Sequence, residues 1–413
     1  MRSSLVQRTI VLWTKLRHTP VPRVGLEPTR LILQPQDFKS CVYTTFTTPA
    51  LGVLYRRIHA VSKPIDIWYT SIAQSTVKKR KTIAILYHAV PLVKTRHAID
   101  DAIAISDHDT QLIVKYMITM FRRHGFRVQP VTVYPDDLSH LQKLKASYVF
   151  NLVDSKKMEI QIVKVLSRLH IPHSGAGLNA LMVCNNKIRS KKLFEKHGIS
   201  TPAYTVISPT GRITRSLVPG KFPIIVKPAF DHASVGIGEE SVASTFVQFR
   251  KIAKKLRAVF RQPLIAEEFI KGKEFHVTVL ETKNQTIAFP IAELRFRNNM
   301  GNKWNMYGFT EKWDKNAPIY NRLYFIAPPP TTAEHICRAI QRDAIRAFYA
   351  LGFRDYARFD VRYNPKMKRW YFLEGNANAG FSEDPEDAMT ASIKAQGMTL
   401  DKFLLALVRN AID

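Results

Sequence analysis

The chain has 413 residues, with 62 Lys and Arg against 33 Asp and Glu for a formal net charge of +29, and it is 46% hydrophobic and 10% aromatic. At roughly 150 residues per domain the length allows two or three domains, and the apolar content excludes wholesale disorder, a collagen repeat and a small disulfide scaffold. The positive excess suits a chain that meets anions such as nucleotide, phosphate or nucleic acid, and it names no more than that class.

Cys41, Cys184 and Cys337 lie far apart with no CxxC pair. That argues against a zinc ribbon and a secreted disulfide framework, and for a reducing, cytoplasmic setting. No stretch approaches the ~18 uninterrupted apolar residues of a membrane helix. Gln7, Arg8, Lys15 and Arg17 interrupt the N-terminal apolar residues, which makes a poor signal peptide. Residues 1–80 hold 13 Lys/Arg and 3 Asp/Glu, a net +10 that leaves +19 for the other 333 residues. Pro20, Pro22, Pro28, Pro35 and Pro49 punctuate this segment, and no helical or strand period persists. Residues 1–78 are therefore expected to be a basic, poorly ordered extension. Within them, Arg23–Ala50 resembles the peptide read from the strand opposite a transfer-RNA gene, which would put the true start near Val77. An organelle transit segment and a basic nucleic-acid arm are the alternatives.

From Lys81 the pattern is that of an α/β protein. Lys81–Val90 is a short apolar run of buried-strand type, and Ile113, Met117, Met120 and Phe121 then recur at helical spacing before Gly125, which is placed to end that helix. A strand over RVQPVTV, a helix over DDLSHLQKLKA, a strand over YVFNLV and a helix over MEIQIVKVLSRLH continue the alternation to His170. Such alternation implies a parallel sheet with right-handed crossovers. No GxGxxG follows the first strand, so the common dinucleotide fingerprint is absent.

Further on, an apolar strand ends in Lys227-Pro228 and runs into the small-residue loop Asp231–Gly238, before a helix expected from about Ala243. Backbone N–H groups in such a loop can approach phosphate oxygens, and a lysine at the strand end adds a mobile positive charge. A bland turn is the competing reading. Next, LIAEEFIKGKEFHVTVLE reads as two strands of a hairpin around Lys271–Lys273, with Glu267, Glu268 and Glu274 at surface positions. The same carboxylates could instead accept from a purine amino group or ribose hydroxyls. Lys251–Arg261 reads as the solvated face of a helix, with nucleic-acid contact the lesser alternative.

The strongest constellation is DYARFDVRYNPKMKRWYFLEGNANAG. Arg358 and Asp360 are two apart and so share one face of a strand, as do Glu374 and Asn376. A hairpin centred near residue 367 would set Asp360 opposite Glu374. Phe359, Val361, Phe372 and Leu373 are expected on the other register. Oxygen ligands without nearby His or Cys suit a hard cation, Mg²⁺ or Mn²⁺, completed by substrate phosphates.

In this order the pieces resemble the D-alanine–D-alanine ligase family of the ATP-grasp superfamily, diffusely from Lys81 and specifically from HIPHSG (His170–Gly175) onward. The resemblance implies α/β and α+β architecture: an ATP-grasp fold with an N-terminal parallel-sheet (pre-ATP-grasp) domain over 79–172, a central lobe over 173–260 and a C-terminal lobe carrying the metal site over 261–413. It implies ATP contacts from Lys187, Lys227 and Lys312, an adenine pocket from Glu267, Glu268, Phe269 and Ile270, and a ribose contact from Glu274. It further implies Mg²⁺ ligation by Asp360, Glu374 and Asn376, a phosphate loop retaining Ser234, and oxyanion stabilisation by Arg358 and the Gly380 N–H. The implied activity is carboxylate–amine ligation through an acyl phosphate, with small-molecule amino-acid or peptide substrates and a homodimer as the expected assembly. Neither a membrane nor nucleic acid is an expected partner.

Three stretches depart from the family pattern. Tyr87–Asp109 lacks its glycine-rich turn and the glutamate that would receive the first substrate's ammonium. The loop has His232-Ala233-Ser234 in place of Gly-Ser-Ser. After Gly380 come Glu383, Asp384, Glu386 and Asp387, which either face a cationic or peptide-like amine or form a solvated helix entrance. Besides a ligase for D-alanine, a ligase for another amino-acid or peptide pair, a non-catalytic ATP-grasp module and a basic nucleic-acid-binding protein are the alternatives.

Overall fold

β1 (Thr82–His88) occupies the first apolar run, and its Ile83, Ala84, Ile85 and Leu86 are all fully buried. Consecutive apolar residues can be buried like this when both faces of a strand are covered, as in a parallel sheet. β2 (Arg127–Val133) and β3 (Tyr148–Asn151) flank β1 in parallel, in the order β2-β1-β3. The helix Ala98–Arg123 joins β1 to β2, and the helix Lys156–Arg168 follows β3. In this computed structural model the described residues are 80–88, 98–134, 137–153, 155–231, 234–299, 301, 303–314 and 316–412. The expected 1–78 extension lies outside them, as do residues 89–97 and the loop's His232 and Ala233.

The helix expected over DDLSHLQKLKA is reduced to a 3₁₀ segment, Ser139–Lys143. Leu138, Leu141 and Leu144 recur every three residues, which lines up one stripe on a helix of three residues per turn. Leu141 is fully buried in the cluster formed by β1, β3 and the helix Lys156–Arg168.

A second, antiparallel sheet follows the order β4-β7-β5-β6, from β4 (Tyr204–Ile207), β5 (Ile224–Pro228), β6 (Val242–Ala243) and β7 (Leu264–Glu268). The helix Phe246–Phe260 covers it through Phe249, Ala253 and Leu256, while Lys251, Lys254 and Lys255 are exposed. This helix starts later than Ala243 because Val242 and Ala243 pair with Ile225 and Ile224. Thr245 then caps it, its side chain accepting from Gln248 N.

The third sheet has the order β11-β10-β8-β12-β13, built from β8 (Lys273–Glu281), β10 (Ala292–Phe296), β11 (Leu323–Ile326), β12 (Tyr356–Asn364) and β13 (Arg369–Asn376), with β9 (Thr286–Ala288) also paired to β8. β7 and β8 thus form no hairpin; they enter different sheets. Gly272 between them has φ 143°, and a Cβ there would stand 2.1 Å from the Tyr363 carbonyl oxygen. The chain therefore passes hard against the end of β12 instead of folding back. The central sheet consequently continues past residue 260 to Glu268, and Glu267 and Glu274 are buried, not surface, residues.

The parallel sheet is built into the last segment of the chain. Ile83, Phe121 and Phe150 share one core with Phe403, Leu404 and Leu407 of the helix Leu400–Ile412. Asp401 of that helix accepts from Tyr116 and Arg123.

Asp355 joins three segments: Tyr148 Oη of β3 donates to its Oδ2 at 3.1 Å, and Gly175 N at 2.9 Å, just ahead of β12. Burial pushes its carboxyl up to about 7, a rise that the Gly175 and Tyr148 donors and the Arg354 charge restrain. The folded protein thus holds a proton that the unfolded chain releases above about pH 4. The Asp355 contribution to stability should fall as pH rises from about 4 to 7 and level beyond, against an opposite contribution from His173, which burial and the Arg354 charge push down to about 4. Asp355→Asn should remove the falling contribution and leave a stability that rises more steeply with pH than that of the unsubstituted protein, as read from urea unfolding free energies of the two proteins across this range.

Candidate active site

A cavity lies between the central sheet and the third sheet. On the central side it is lined by Ile225, Lys227, Ser234, Ile237, Glu267, Glu268, Phe269 and Ile270. Facing them are Glu274, Met306, Tyr307, Lys312, Arg358, Asp360, Arg362, Leu373, Glu374 and Asn376. All but two of the residues singled out from the sequence converge here. Lys187 is not part of the lining and reaches it through Glu374, its Nζ lying 3.5 Å from Glu374 Oε2. Gly380 is exposed and is likewise absent from the lining.

The convergence follows from register. β12 pairs Asp360 with Glu374 and Arg358 with Asn376 on β13, as the hairpin centre implied. On its other edge it pairs Asp360 with His276, Arg358 with Thr278 and Arg362 with Glu274 on β8. Side chains at positions 358, 360 and 362 share one face, so three adjacent strands present one polar surface. Phe359, Val361 and Phe372 are fully buried behind it. Leu373 departs from expectation. Val361 pairs with Phe372 while Asp360 pairs with Glu374, so Leu373 is the extra residue of a β-bulge and lines the cavity.

Charges in this surface are taken in pairs. Arg358 grips Asp360 with Nε to Oδ1 at 2.9 Å and Nη2 to Oδ2 at 3.3 Å. Burial alone would raise the Asp360 carboxyl, but the Arg358 guanidinium and His276 hold it well below the usual carboxylate range. His276 Nε2 stands 3.6 Å from Asp360 and 3.7 Å from Glu274. Lys187 Nζ also donates to the Asp231 carbonyl, which ties the start of the helix Lys187–Lys196 to the loop after β5.

Across the cavity, Glu267 lies between Lys227, at 3.0 Å, and Lys191, at 3.4 Å. Burial works to raise the Glu267 carboxyl, and the two lysine charges outweigh it and leave it below its ordinary value. Lys191 is itself fully buried, which pushes it down to about 8 with Glu267 only partly compensating. Lys191 was not singled out from the sequence. The signal was its spacing of four from Lys187, which puts both lysines on one helix face.

Between Lys227 and the helix Phe246–Phe260 runs the loop expected to meet phosphate. Ser234 takes a left-handed φ of 60° and its Oγ donates to the Tyr307 carbonyl at 3.1 Å. Gly236, with φ 71°, permits a close approach: a Cβ there would lie 2.6 Å from the Phe260 ring. Ile237 O accepts from Phe309 N, which anchors the loop to the segment carrying Lys312. Lys312 Nζ sits 5.4 Å from the Tyr307 ring and 5.3 Å from that of Trp313.

Among the described residues, no three His, Cys, Asp or Glu side chains converge as a metal cage. The donor set at the β12–β13 ladder is two carboxylates, Asp360 and Glu374, with the Asn376 amide, whose Nδ2 is directed to the Arg358 carbonyl at 3.4 Å. An all-oxygen set of this size fits Mg²⁺, which takes one or two carboxylates and completes its shell with water and substrate phosphates. Of the four acids after Gly380, Asp387 caps the helix Ala388–Ala395, accepting from Met389 and Thr390 N, and Glu386 pairs with Arg297.

Glu267 supplies a test of the pairing. Glu267→Ala would leave Lys191 and Lys227 without their carboxylate and should destabilise the fold by about 3–5 kcal/mol. Denaturant unfolding of this variant beside the unsubstituted protein measures the loss.

Residues 193–409 match the family model described as the D-ala D-ala ligase C-terminus. The D-alanine–D-alanine ligase of Hydrogenovibrio crunogenus is 25% identical over 253 residues, 59% of this chain and 71% of the relative. That of Syntrophotalea carbinolica is 27% identical over 292 residues, 70% of this chain and 87% of the relative. The crystal structure of the Bacillus anthracis D-alanine–D-alanine ligase complexed with ATP superposes with a TM-score of 0.62 at 19% identity, covering 81% of this chain and 97% of that one. A second crystal structure of the Bacillus anthracis D-alanine–D-alanine ligase gives 0.63 at 18% identity, covering 80% and 97%. With the paired sheets, the cleft between them and a family match over more than half its length, the chain belongs to the D-alanine–D-alanine ligase family, ATP-dependent ligases of ATP-grasp fold.

Proposed function

We propose that the protein joins a carboxylate to an amine through an acyl phosphate formed with ATP, with D-alanine as both substrates. The observation that carries this reading is the row Arg358, Asp360, Glu374 and Asn376 on β12 and β13, facing Lys227 across one cavity. The nucleotide would lie between the sheets. Its base would rest among Glu267, Glu268, Phe269 and Ile270, its ribose would meet Glu274, and its phosphates would meet Lys187, Lys227, Lys312 and the loop bearing Ser234.

Asp360, Glu374 and Asn376 would hold Mg²⁺, which when bound neutralises charge spreading over the transferred phosphoryl group. The lysines hold the phosphates in line with the attacking substrate carboxylate. Arg358, fixed by Asp360, is placed to meet the oxyanion when the amine attacks the acyl carbon; the Gly380 N–H is the second donor in this scheme and lies outside the cavity lining. Little in this scheme needs a side-chain nucleophile; positioning and preorganised charge do the catalysis. Among the described residues no helix is long and apolar enough to cross a membrane, and a cytoplasmic homodimer acting on small molecules is the proposed setting.

Phosphate release from ATP across a panel of D- and L-amino acids tests the substrate, with D-alanine expected to stimulate it most. Stimulation by none of them would sink the ligase reading. Arg358→Ala should lower turnover by ~10²–10³, the loss typical of removing one oxyanion donor. Asp360→Ala should abolish Mg²⁺-dependent turnover, and full activity in that variant would remove the metal site.

A further inference from the structure

Arg362 lines the cavity, yet this guanidinium-bearing residue is only 3% exposed. Its Nε donates to the Ile270 carbonyl at 3.0 Å. Nη1 donates to Glu274 Oε2 at 3.1 Å and to the Asn305 carbonyl at 2.7 Å, and Nη2 reaches the Trp304 carbonyl at 3.4 Å. The guanidinium also lies 5.1 Å from the Phe269 ring centre. Four contacts from one planar fork thus bind three separate segments: the β7–β8 connection, β8 itself, and the loop carrying Met306 and Tyr307. Each of these segments contributes wall to the cavity.

We infer that Arg362 is a positioning residue for nucleotide binding, orienting Glu274 toward the sugar by holding its Oε2 and pinning the 304–306 loop against Phe269 and Ile270. The inference rests on the proposed contact between Glu274 and the ribose. A carboxylate held through one oxygen keeps its other oxygen in a fixed direction. Glu274 Oε1 is the atom facing His276 at 3.7 Å, and it remains the acceptor for a hydroxyl. Without Arg362, Glu274 would be a buried carboxylate lacking its closest charged partner, and it would turn or take up a proton. An apolar side chain of similar length would fill the space under the base but could not orient Glu274. A lysine would keep the charge but not the fork, since an ammonium is a point donor that cannot hold three carbonyls and a carboxylate in one plane.

The test is calorimetric binding of ATP and of 2′,3′-dideoxy-ATP, with Mg²⁺, to the whole protein and to the variants Arg362→Met, Arg362→Lys and Glu274→Gln. The unsubstituted protein should prefer ATP by about tenfold, the equivalent of about 1.4 kcal/mol. In Arg362→Met and Glu274→Gln that preference should shrink to about twofold or less; dideoxy-ATP, which lacks the hydroxyls, should bind nearly as before to Glu274→Gln and more weakly to Arg362→Met, where the 304–306 loop is no longer pinned. Arg362→Lys keeps a charge at the position and covers the case in which the methionine variant does not fold; it too should lose the preference. A preference kept by both Arg362 variants but lost by Glu274→Gln overturns the role of Arg362 and leaves the ribose contact standing. Equal binding of the two nucleotides by the unsubstituted protein overturns the ribose contact, and the inference falls with it.

Discussion

Ionised groups that leave water must meet a partner, and the cleft of this protein is built from that requirement. Stripping water from a carboxylate or a guanidinium costs several kcal/mol per ion even after relaxation. Arg358 with Asp360, Arg362 with Glu274, and Glu267 between Lys191 and Lys227 each meet the cost locally. Arg358 and Asp360 share β12, but the other partners sit on different strands or on a helix and a strand, so satisfying those charges also fixes the geometry. Arg362 and Glu274 lock β12 to β8, and Lys191 locks its helix to β7. The polar surface is therefore rigid before any ligand arrives, which is the condition under which fixed charges act most strongly on a transferring phosphoryl group.

That rigidity rests on apolar packing behind the charges. Phe359, Val361 and Phe372, fully buried, form the back of the same strands whose fronts carry Arg358, Asp360 and Glu374. Gly375 fits there because a Cβ at that position would come within 2.9 Å of Phe359 and Leu351. The helix Leu400–Ile412 adds a second support. It packs Phe403 against Tyr356, at the start of β12, and carries the core on into the parallel sheet. A catalytic strand braced at its start and on one face can hold its side chains within the narrow tolerance that positioning catalysis demands.

Short-range periodicity marks the β12–β13 row more clearly than it marks the connections between strands. The alternation that put Arg358 with Asp360, and Glu374 with Asn376, is a property of any strand, and the turn at Asn364–Arg369 fixed the pairing. Arg362 lies two further along the same strand, and an arginine after an apolar residue gives no hint that its partner is Glu274, 88 residues away. The β7–β8 segment misled because two apolar runs around a glycine look alike whether the chain reverses or passes to another sheet. Only the Tyr363 carbonyl lying against Gly272 separates the two cases. Leu373 misled for a related reason: a bulge adds one residue and breaks parity without any mark in the local composition.

The order of residues along the chain sets the alternation of strands and helices, the amphipathic faces, the succession of lysines and oxygen donors, and the hairpin that brings Asp360 to Glu374. These are consequences of short-range periodicity, and they survive whatever the rest of the chain does. Long-range packing settles which sheets receive β7 and β8, that Glu267 and Glu274 are buried, and which partners Lys191, His276 and Arg362 meet. Those outcomes depend on which distant charge meets which, and local spacing carries no information about a pairing made across 40 to 88 residues of intervening chain.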